Sequence, residues 1–80
     1  MCWYVYLVEC LDGSLYTGIT TDVERRMEEH REGEGSKYVR SRGFKELVSF
    51  LQVGSRSEAS KVEYRVKQMS PEEKVDFFKA

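Results

Sequence analysis

The sequence predicts one small α+β domain whose strands and helices follow in the order ββαβαα. Two strand-like segments flank an Asp12-Gly13 turn signal, and three amphipathic segments each begin at a helix-capping pattern. A third apolar, strand-like segment separates the first amphipathic segment from the other two. With 80 residues, the chain has room for one compact core.

The first two strands are predicted as a hairpin. Residues 2–10 are rich in aromatic and β-branched side chains. These occur on both of the faces to which successive strand residues point, which is typical of a strand covered on both sides. Asp12-Gly13 is a hairpin-turn signal, and residues 15–19 return as the second strand.

The length of the hairpin loop decides whether Tyr6 and Tyr16 share a face, because successive side chains of a strand alternate. A two-residue loop places Tyr16 opposite Glu9 and leaves the tyrosines on opposite faces. A three-residue loop over residues 12–14 places Tyr16 opposite Cys10 and brings both tyrosines to one face. A site that uses both tyrosines therefore predicts an odd-numbered loop or a bulge.

The helices are predicted from capping patterns followed by apolar stripes. They are expected over residues 21–32, with a capping box that begins at Thr21, over residues 55–69, and from Ser70-Pro71 onward. In the first helix, side chains within about 100° of one another form a stripe toward the sheet. This stripe consists of Val23, Arg26, Met27 and His30. The third strand is expected over residues 46–53, and the segment before it has room for one extra helical turn.

A net charge of −1 gives no overall electrostatic attraction to a polyanion, so a nucleic-acid partner would have to bind a local basic segment. Such a segment precedes the third strand, where four cations and two aromatic residues occur without an acid. Its residues are Lys37, Tyr38, Arg40, Arg42, Phe44 and Lys45. A solvated loop is the alternative interpretation of this charge run.

Cys2 and Cys10 lie in one predicted strand, about 26 Å apart at roughly 3.3 Å per residue, so they cannot pair with each other. Unpaired thiols favour a reducing compartment. The apolar N-terminus has the pattern of neither a signal peptide nor a membrane span, so we expect a cytoplasmic protein without a membrane partner.

An ordered set of residues resembles the GIY-YIG nuclease domain, and is closest to the uncharacterised family of small stand-alone GIY-YIG proteins. The set consists of Tyr4-Val5-Tyr6, Tyr16-Thr17-Gly18, Arg26, His30, and Glu58-Ala59 leading to Glu63. The resemblance covers nearly the whole chain. It implies a three-stranded antiparallel sheet flanked by helices, and single-metal hydrolysis of a DNA phosphodiester.

By matching position, the resemblance implies catalytic roles for Tyr6, Tyr16, Arg26 and His30, and a metal-ligand role for Glu63. Gly18 matches the closing glycine of the second motif and is grouped with the nucleic-acid-binding residues of the basic segment. Mg²⁺ or Mn²⁺ held by one carboxylate and water suits this ligand set. An arginine fork matches phosphate geometry. The choice between the two tyrosines as base stays open.

Each residue also has an ordinary structural interpretation. Strand tyrosines commonly pack in a core, and a helix histidine is commonly hydrogen bonded. Glu63 can pair with Lys67 at i+4. The chain also departs from the family pattern at two positions. Tyr4 stands where the motif has glycine, and Ile19 stands where some of these nucleases carry a lysine beside the second tyrosine.

The leading functional prediction is an endonuclease directed by DNA structure or damage, in repair or processing, that contacts the phosphate backbone of DNA. A nucleic-acid-binding module without efficient cleavage is the second interpretation. The third is the interaction domain of a nuclease complex, with a protein partner or a second copy of the chain.

Overall fold

The computed structural model describes residues 2–79. Its elements are β1 (Trp3–Cys10), β2 (Leu15–Thr20), α1 (Val23–Arg31), α2 (Lys37–Arg42), β3 (Phe44–Val53), α3 (Arg56–Lys67) and α4 (Pro71–Lys79). This order confirms the predicted α+β fold. The extra turn expected before the third strand is the six-residue helix α2, and β3 begins two residues earlier than predicted.

The three strands form one antiparallel sheet in the order β2-β1-β3, so β1 lies in the middle. Val5 and Leu7 of β1 face the layer of α3 and α4, whereas Tyr6 and Val8 face the layer of α1 and α2. All four side chains are fully buried. Burying an aliphatic side chain of this size stabilises a fold by about 1.5–3 kcal/mol, so the central strand anchors both layers.

The hairpin loop has three residues, as a shared tyrosine face requires, but it begins one residue earlier than predicted. The Cys10 amide donates to the Ser14 carbonyl at 2.8 Å, which leaves residues 11–13 as the loop. Tyr16 consequently lies opposite Val8, and the predicted pairing with Cys10 is wrong. Gly13 has a φ of 85°, which suits the last position of a three-residue loop. The loop therefore spans residues 11–13 instead of the predicted 12–14, so that Gly13 takes the position that requires a positive φ.

Pairing between β1 and β3 shifts twice, and these irregularities turn β3 side chains toward α1. Leu47 lies opposite Val8, and Phe44 lies opposite Cys10. Strict alternation would put residues three positions apart on opposite faces, whereas a bulge between them restores one face. Both side chains thereby pack in the core beneath α1 and α2, and Phe44 reaches His30.

Side-chain caps begin the helices. Asp22, rather than Thr21, caps α1, and its Oδ1 accepts a hydrogen bond from the Arg25 amide at 3.0 Å. The expected capping box at Thr21 is therefore wrong, because the helix begins one residue later and the Asp22 carboxylate accepts from the free amide of its first turn. The predicted caps at Ser55 and Ser70 are confirmed. As expected, neither Cys2 nor Cys10 forms a disulfide.

Gly13→Ala should destabilise the protein by about 1–2 kcal/mol, because an alanine strains at positive φ. A Cβ at this position would meet nothing within 4 Å, so the cost isolates backbone conformation. Gly13→Asn is the matched control and should cost less, since asparagine tolerates this region. Chemical denaturation measures both. Equal losses for alanine and asparagine would contradict the assigned loop conformation.

Candidate active site

The hydroxyl group of Tyr6 is the centre of a buried polar cluster. It lies 2.9 Å from Nε2 of His30, and Nε of Arg26 donates a hydrogen bond to it at 3.3 Å. Because Arg26 can only donate, the proton of Tyr6 is available for Nε2 of His30. A Tyr6 hydroxyl that donates to Nε2 leaves the imidazole proton on Nδ1, a buried atom without a hydrogen-bond partner among the described residues. The inward stripe predicted for α1 thus supplies both partners of Tyr6.

Burial controls the ionisation of this cluster. It raises the pKa of Tyr6 to about 12, although the hydrogen bond and the charge of Arg26 act in the opposite direction. Burial, together with the charge of Arg26, lowers the pKa of His30 to about 4. Burial acts to lower the pKa of Arg26, but its hydrogen bonds to Tyr6 and Glu29 outweigh this effect and raise the pKa overall. At neutral pH the cluster therefore carries one positive charge, on Arg26.

Two glycines allow the cluster to pack closely. Gly18 lies opposite Tyr6 on β2, and a Cβ there would collide with the Tyr6 hydroxyl. A Cβ at Gly35 would collide with the imidazole of His30. Gly18 is buried against Tyr6, and the prediction that it contacts nucleic acid stays a prediction. Its observed role is to admit the tyrosine ring.

Tyr16 lies beside the cluster on the edge strand β2, so the odd hairpin loop does place both tyrosines on one face. Its ring centroid is 6.4 Å from that of Tyr6 and 6.1 Å from that of His30. The ring of Tyr38 stacks on Tyr16 at 5.5 Å with an interplanar angle of 28°. Nζ of Lys67 lies 5.7 Å from the centre of the Tyr16 ring.

Glu63 lies on α3 at the margin of this cluster. Its side chain is 23% exposed, and Oε2 lies 3.4 Å from Nζ of Lys67, the i+4 pair that the sequence also allowed. Nζ of Lys67 also lies 5.7 Å from the centre of the Tyr16 ring, so the Glu63–Lys67 ion pair lies next to Tyr16. The carboxylate of Glu63 therefore adjoins the Tyr16 side of the cluster through Lys67.

Glu63 is the acidic side chain next to this cluster that could hold a hard cation. Within residues 2–79, no group of three or more His, Cys, Asp or Glu side chains could form a metal cage. Glu63 nevertheless presents a partly exposed carboxylate that already lies against a positive charge, that of Lys67. Mg²⁺ commonly binds through one or two carboxylates and retains several waters, so Glu63 fits such an ion.

The basic segment is a helix, α2, followed by the start of β3, and not a solvated loop. Arg42 forms an ion pair with Asp12 at 2.7 Å, and its guanidinium lies 4.4 Å from the centre of the Tyr38 ring. Lys45 pairs with Glu9 at 3.3 Å. In the described chain, Lys37 and Arg40 are exposed and take part in no ion pair.

Several contacts of the site were missed from the sequence. Glu29 accepts a hydrogen bond from Arg26 at 3.0 Å, and the i, i+3 spacing could have indicated it. Phe44 stacks on His30 with an interplanar angle of 7°, which depends on the bulges of β3. The stacking of Tyr38 on Tyr16 depends on tertiary packing and has no local sequence signal.

Folding stability should fall by about 3 kcal/mol as the pH decreases from 6.5 to 4, in addition to other acid effects. The unfolded chain protonates His30 near pH 6.5, whereas the folded chain resists protonation until about pH 4. Between these values the unfolded state binds the extra proton and is favoured. Denaturation at several pH values, with His30→Gln as the non-titrating control, measures this contribution. Parallel pH profiles for wild type and variant would contradict it.

Comparison with known proteins places this geometry in a family. Residues 2–75 match the GIY-YIG catalytic domain. A UPF0213 protein of Cronobacter sakazakii is 50% identical over 72 residues, which cover 90% of this chain and 76% of that protein. A UPF0213 protein of Cupriavidus pinatubonensis is 49% identical over 75 residues, which cover 94% of this chain and 83% of the relative.

A solved structure of another UPF0213 protein is also similar to this chain. The solution NMR structure of a UPF0213 protein of Bacillus halodurans matches at a TM-score of 0.57 and 49% identity, covering 96% of this chain and 82% of that one. From Cys2 to Lys79, no helix has both the length and the apolar character needed to cross a membrane. The family match spans more than half of the chain, and the chain belongs to the GIY-YIG catalytic domain family.

Proposed function

We propose that this protein is a divalent-metal-dependent endonuclease that hydrolyses phosphodiester bonds of DNA. The observation that carries the proposal is the polar cluster of Tyr6, His30 and Arg26, with Tyr16 beside it and the ion pair of Glu63 and Lys67 next to Tyr16. Hydrolysis requires an oriented water, a proton acceptor and neutralisation of charge on the phosphoryl oxygens. Each requirement has a candidate group in this cluster.

Arg26 is the candidate for binding the phosphoryl oxygens. Its Nε is fixed by Tyr6, while its terminal nitrogen Nη1 donates to Glu29, an acid whose side chain is 38% exposed. An exposed ion pair is weak, so a phosphate can replace Glu29 at small cost. The fixed Nε keeps the guanidinium plane in place during that exchange.

Tyr16 is the better candidate to contact the attacking water. Tyr6 already bonds to both His30 and Arg26, and burial raises its pKa to about 12, so it is a poor proton acceptor near neutral pH. The hydroxyl of Tyr16 makes no hydrogen bond with another described residue. Tyr6 and His30 then act together to hold Arg26 in position.

Glu63 is the proposed ligand for a single Mg²⁺ or Mn²⁺. When bound, such an ion lowers the pKa of a coordinated water and withdraws charge from phosphoryl oxygens. Lys67, whose side chain is 46% exposed, has room to leave the carboxylate. Lys67 also provides a cation beside Tyr16, whereas Ile19, at the family's lysine position, packs in the opposite core.

The proposed substrate is DNA recognised through its backbone, with structure- or damage-directed cleavage in repair or processing. Lys37 and Arg40 can contact phosphates, and the small domain offers few side chains for base edges. A protein partner or a second copy of the chain would then supply further selection among DNA substrates.

A nucleic-acid-binding module without efficient turnover is the second candidate function, because Arg26 and Glu63 each already have an internal ionic partner.

Glu63→Gln should reduce metal-dependent DNA cleavage by about a hundredfold or more, because it removes the charged metal ligand. The assay incubates branched, nicked and linear DNA with Mg²⁺ or Mn²⁺. Glu58→Gln, an exposed acid on the same helix, is the matched control and should cleave at the wild-type rate. Equal activity of wild type and Glu63→Gln would refute the nuclease proposal. Binding without cleavage by the wild type would favour the second candidate.

Tyr38→Ala should lower the cleavage rate at saturating DNA by about tenfold, because the Tyr16 ring loses the side chain that stacks on it. Tyr38→Phe should remain close to wild type, since stacking needs the ring and not the hydroxyl. Separate measurement of kcat and KM tests positioning. A change confined to KM would instead make Tyr38 a DNA contact, as the sequence predicted.

A further inference from the structure

Lys67 lies between the candidate metal ligand and the tyrosine proposed to contact the attacking water. It is the last residue of α3, and its Nζ lies 3.4 Å from Oε2 of Glu63. The same nitrogen lies 5.7 Å from the centre of the Tyr16 ring. The Lys67 side chain is exposed, so its ammonium group can move without disturbing the core. One exposed cation therefore lies next to both groups.

The ion pair of Lys67 with Glu63 is the loosest in the described chain. Five ion pairs form within residues 2–79. In four of them the two side chains also form a hydrogen bond, at distances of 2.7 to 3.3 Å. The separation of 3.4 Å between Lys67 and Glu63 is the longest of the five, and their geometry gives no hydrogen bond. Such a pair exchanges partners more readily than a hydrogen-bonded pair does.

Lys67 must leave Glu63 when a divalent cation binds to that carboxylate, because two cations at such short range repel each other. The displaced ammonium group stays close to the site, since it is tethered to α3 and the π-electrons of the Tyr16 ring attract it. Glu63 is its only ionic partner within the described chain. An ammonium group only donates hydrogen bonds, so the displaced Lys67 needs another anion.

We propose that Lys67 is a phosphate-binding residue of the active site, held by Glu63 until a divalent cation takes its place. This inference rests on the proposed function, because it takes Glu63 as the metal ligand and DNA as the substrate. Lys67 then donates to a non-bridging oxygen of the scissile phosphate, while Arg26 binds the phosphate from α1. Two cations on different helices thereby share the charge that develops on the phosphoryl oxygens.

Lys67→Met separates this role from that of an ordinary i, i+4 pair that only stabilises α3. Loss of a competitor for Glu63 should strengthen metal binding in either case. At saturating Mn²⁺, however, a lost phosphate contact should lower kcat for DNA cleavage by about tenfold, whereas a structural pair leaves kcat unchanged. Lys67→Arg should stay close to wild type, because a guanidinium also binds phosphate. A wild-type kcat in Lys67→Met would overturn the phosphate role.

Mn²⁺ affinity without DNA, measured by electron paramagnetic resonance, tests the exchange at Glu63. Lys67→Met should bind Mn²⁺ about two- to fivefold more tightly than wild type, the gain expected from the loss of one exposed ion pair. Lys61→Met is the matched control, because this exposed lysine lies about 200° around α3 from Glu63, and it should bind Mn²⁺ as wild type does. Thermal unfolding of each variant controls for loss of fold. Equal Mn²⁺ affinity of wild type and Lys67→Met would contradict the exchange.

DNA affinity with and without Ca²⁺ tests the phosphate contact independently of cleavage. Ca²⁺ replaces Mg²⁺ as an oxygen-bound cation, and electrophoresis verifies that the DNA stays uncut. The loss of affinity caused by Lys67→Met should be about threefold to tenfold greater with saturating Ca²⁺ than without it, because Glu63 then no longer holds Lys67. Lys61→Met removes the same charge, and its effect should not depend on Ca²⁺. An equal effect of Lys67→Met under both conditions would overturn the contact.

The failure of this inference differs from the failure of the nuclease proposal. Cleavage by the wild type, together with an unchanged kcat in Lys67→Met, would refute the role of Lys67 and retain the nuclease. A Ca²⁺-dependent loss of DNA affinity in Lys67→Met, with no metal-dependent cleavage by wild type, would retain Lys67 as a phosphate ligand and refute the nuclease. Absence of DNA binding by the wild type in Ca²⁺ would refute the role of Lys67 directly.

Discussion

The hydrogen bonds to the Tyr6 hydroxyl are the constraint on which the site depends. Tyr6 lies in the central strand, with helices on both faces of the sheet, and is fully buried. A hydroxyl buried without a partner costs about 1–3 kcal/mol, so α1 must present groups that can reach it. His30 and Arg26 satisfy this requirement from successive turns of one helix face. The hydrogen bond that the buried Tyr6 hydroxyl requires thereby fixes the orientation of the Arg26 guanidinium.

Backbone features make this arrangement sterically possible. Gly18 leaves space for the Tyr6 hydroxyl, and the three-residue loop brings Tyr16 to the same face as Tyr6. The loop also contributes Asp12, whose carboxylate holds Arg42 against the ring of Tyr38. Contacts therefore run from the hairpin loop through α2 to Tyr16. Hairpin geometry and site geometry are coupled through these side chains.

The sequence predicted those features that depend on local periodicity and turn chemistry. The α1 stripe and the odd loop are examples, because helix spacing and strand alternation act over a few residues. The exact pairing of Tyr16 was missed, since it depends on which loop position Gly13 takes. The pair of Arg42 and Asp12 joins residues 30 apart in sequence, and only the folded chain brings them together. The candidate metal ligand was identified by family resemblance, whereas its pairing with Lys67 followed from helix spacing.

The charged groups proposed to bind the phosphate and the metal ion each have an ionic partner within the protein that is easily exchanged. Arg26 pairs with Glu29, and Glu63 pairs with Lys67, each across one helical turn. Such partly exposed pairs contribute roughly 0–1 kcal/mol, and breaking one costs far less than breaking a buried pair, which would leave an uncompensated buried charge. They can neutralise the site when no phosphate is present and yield to a ligand with little loss. By contrast, the Tyr6 hydroxyl is buried and fixed, so the site combines a rigid centre with replaceable ionic contacts at its margin.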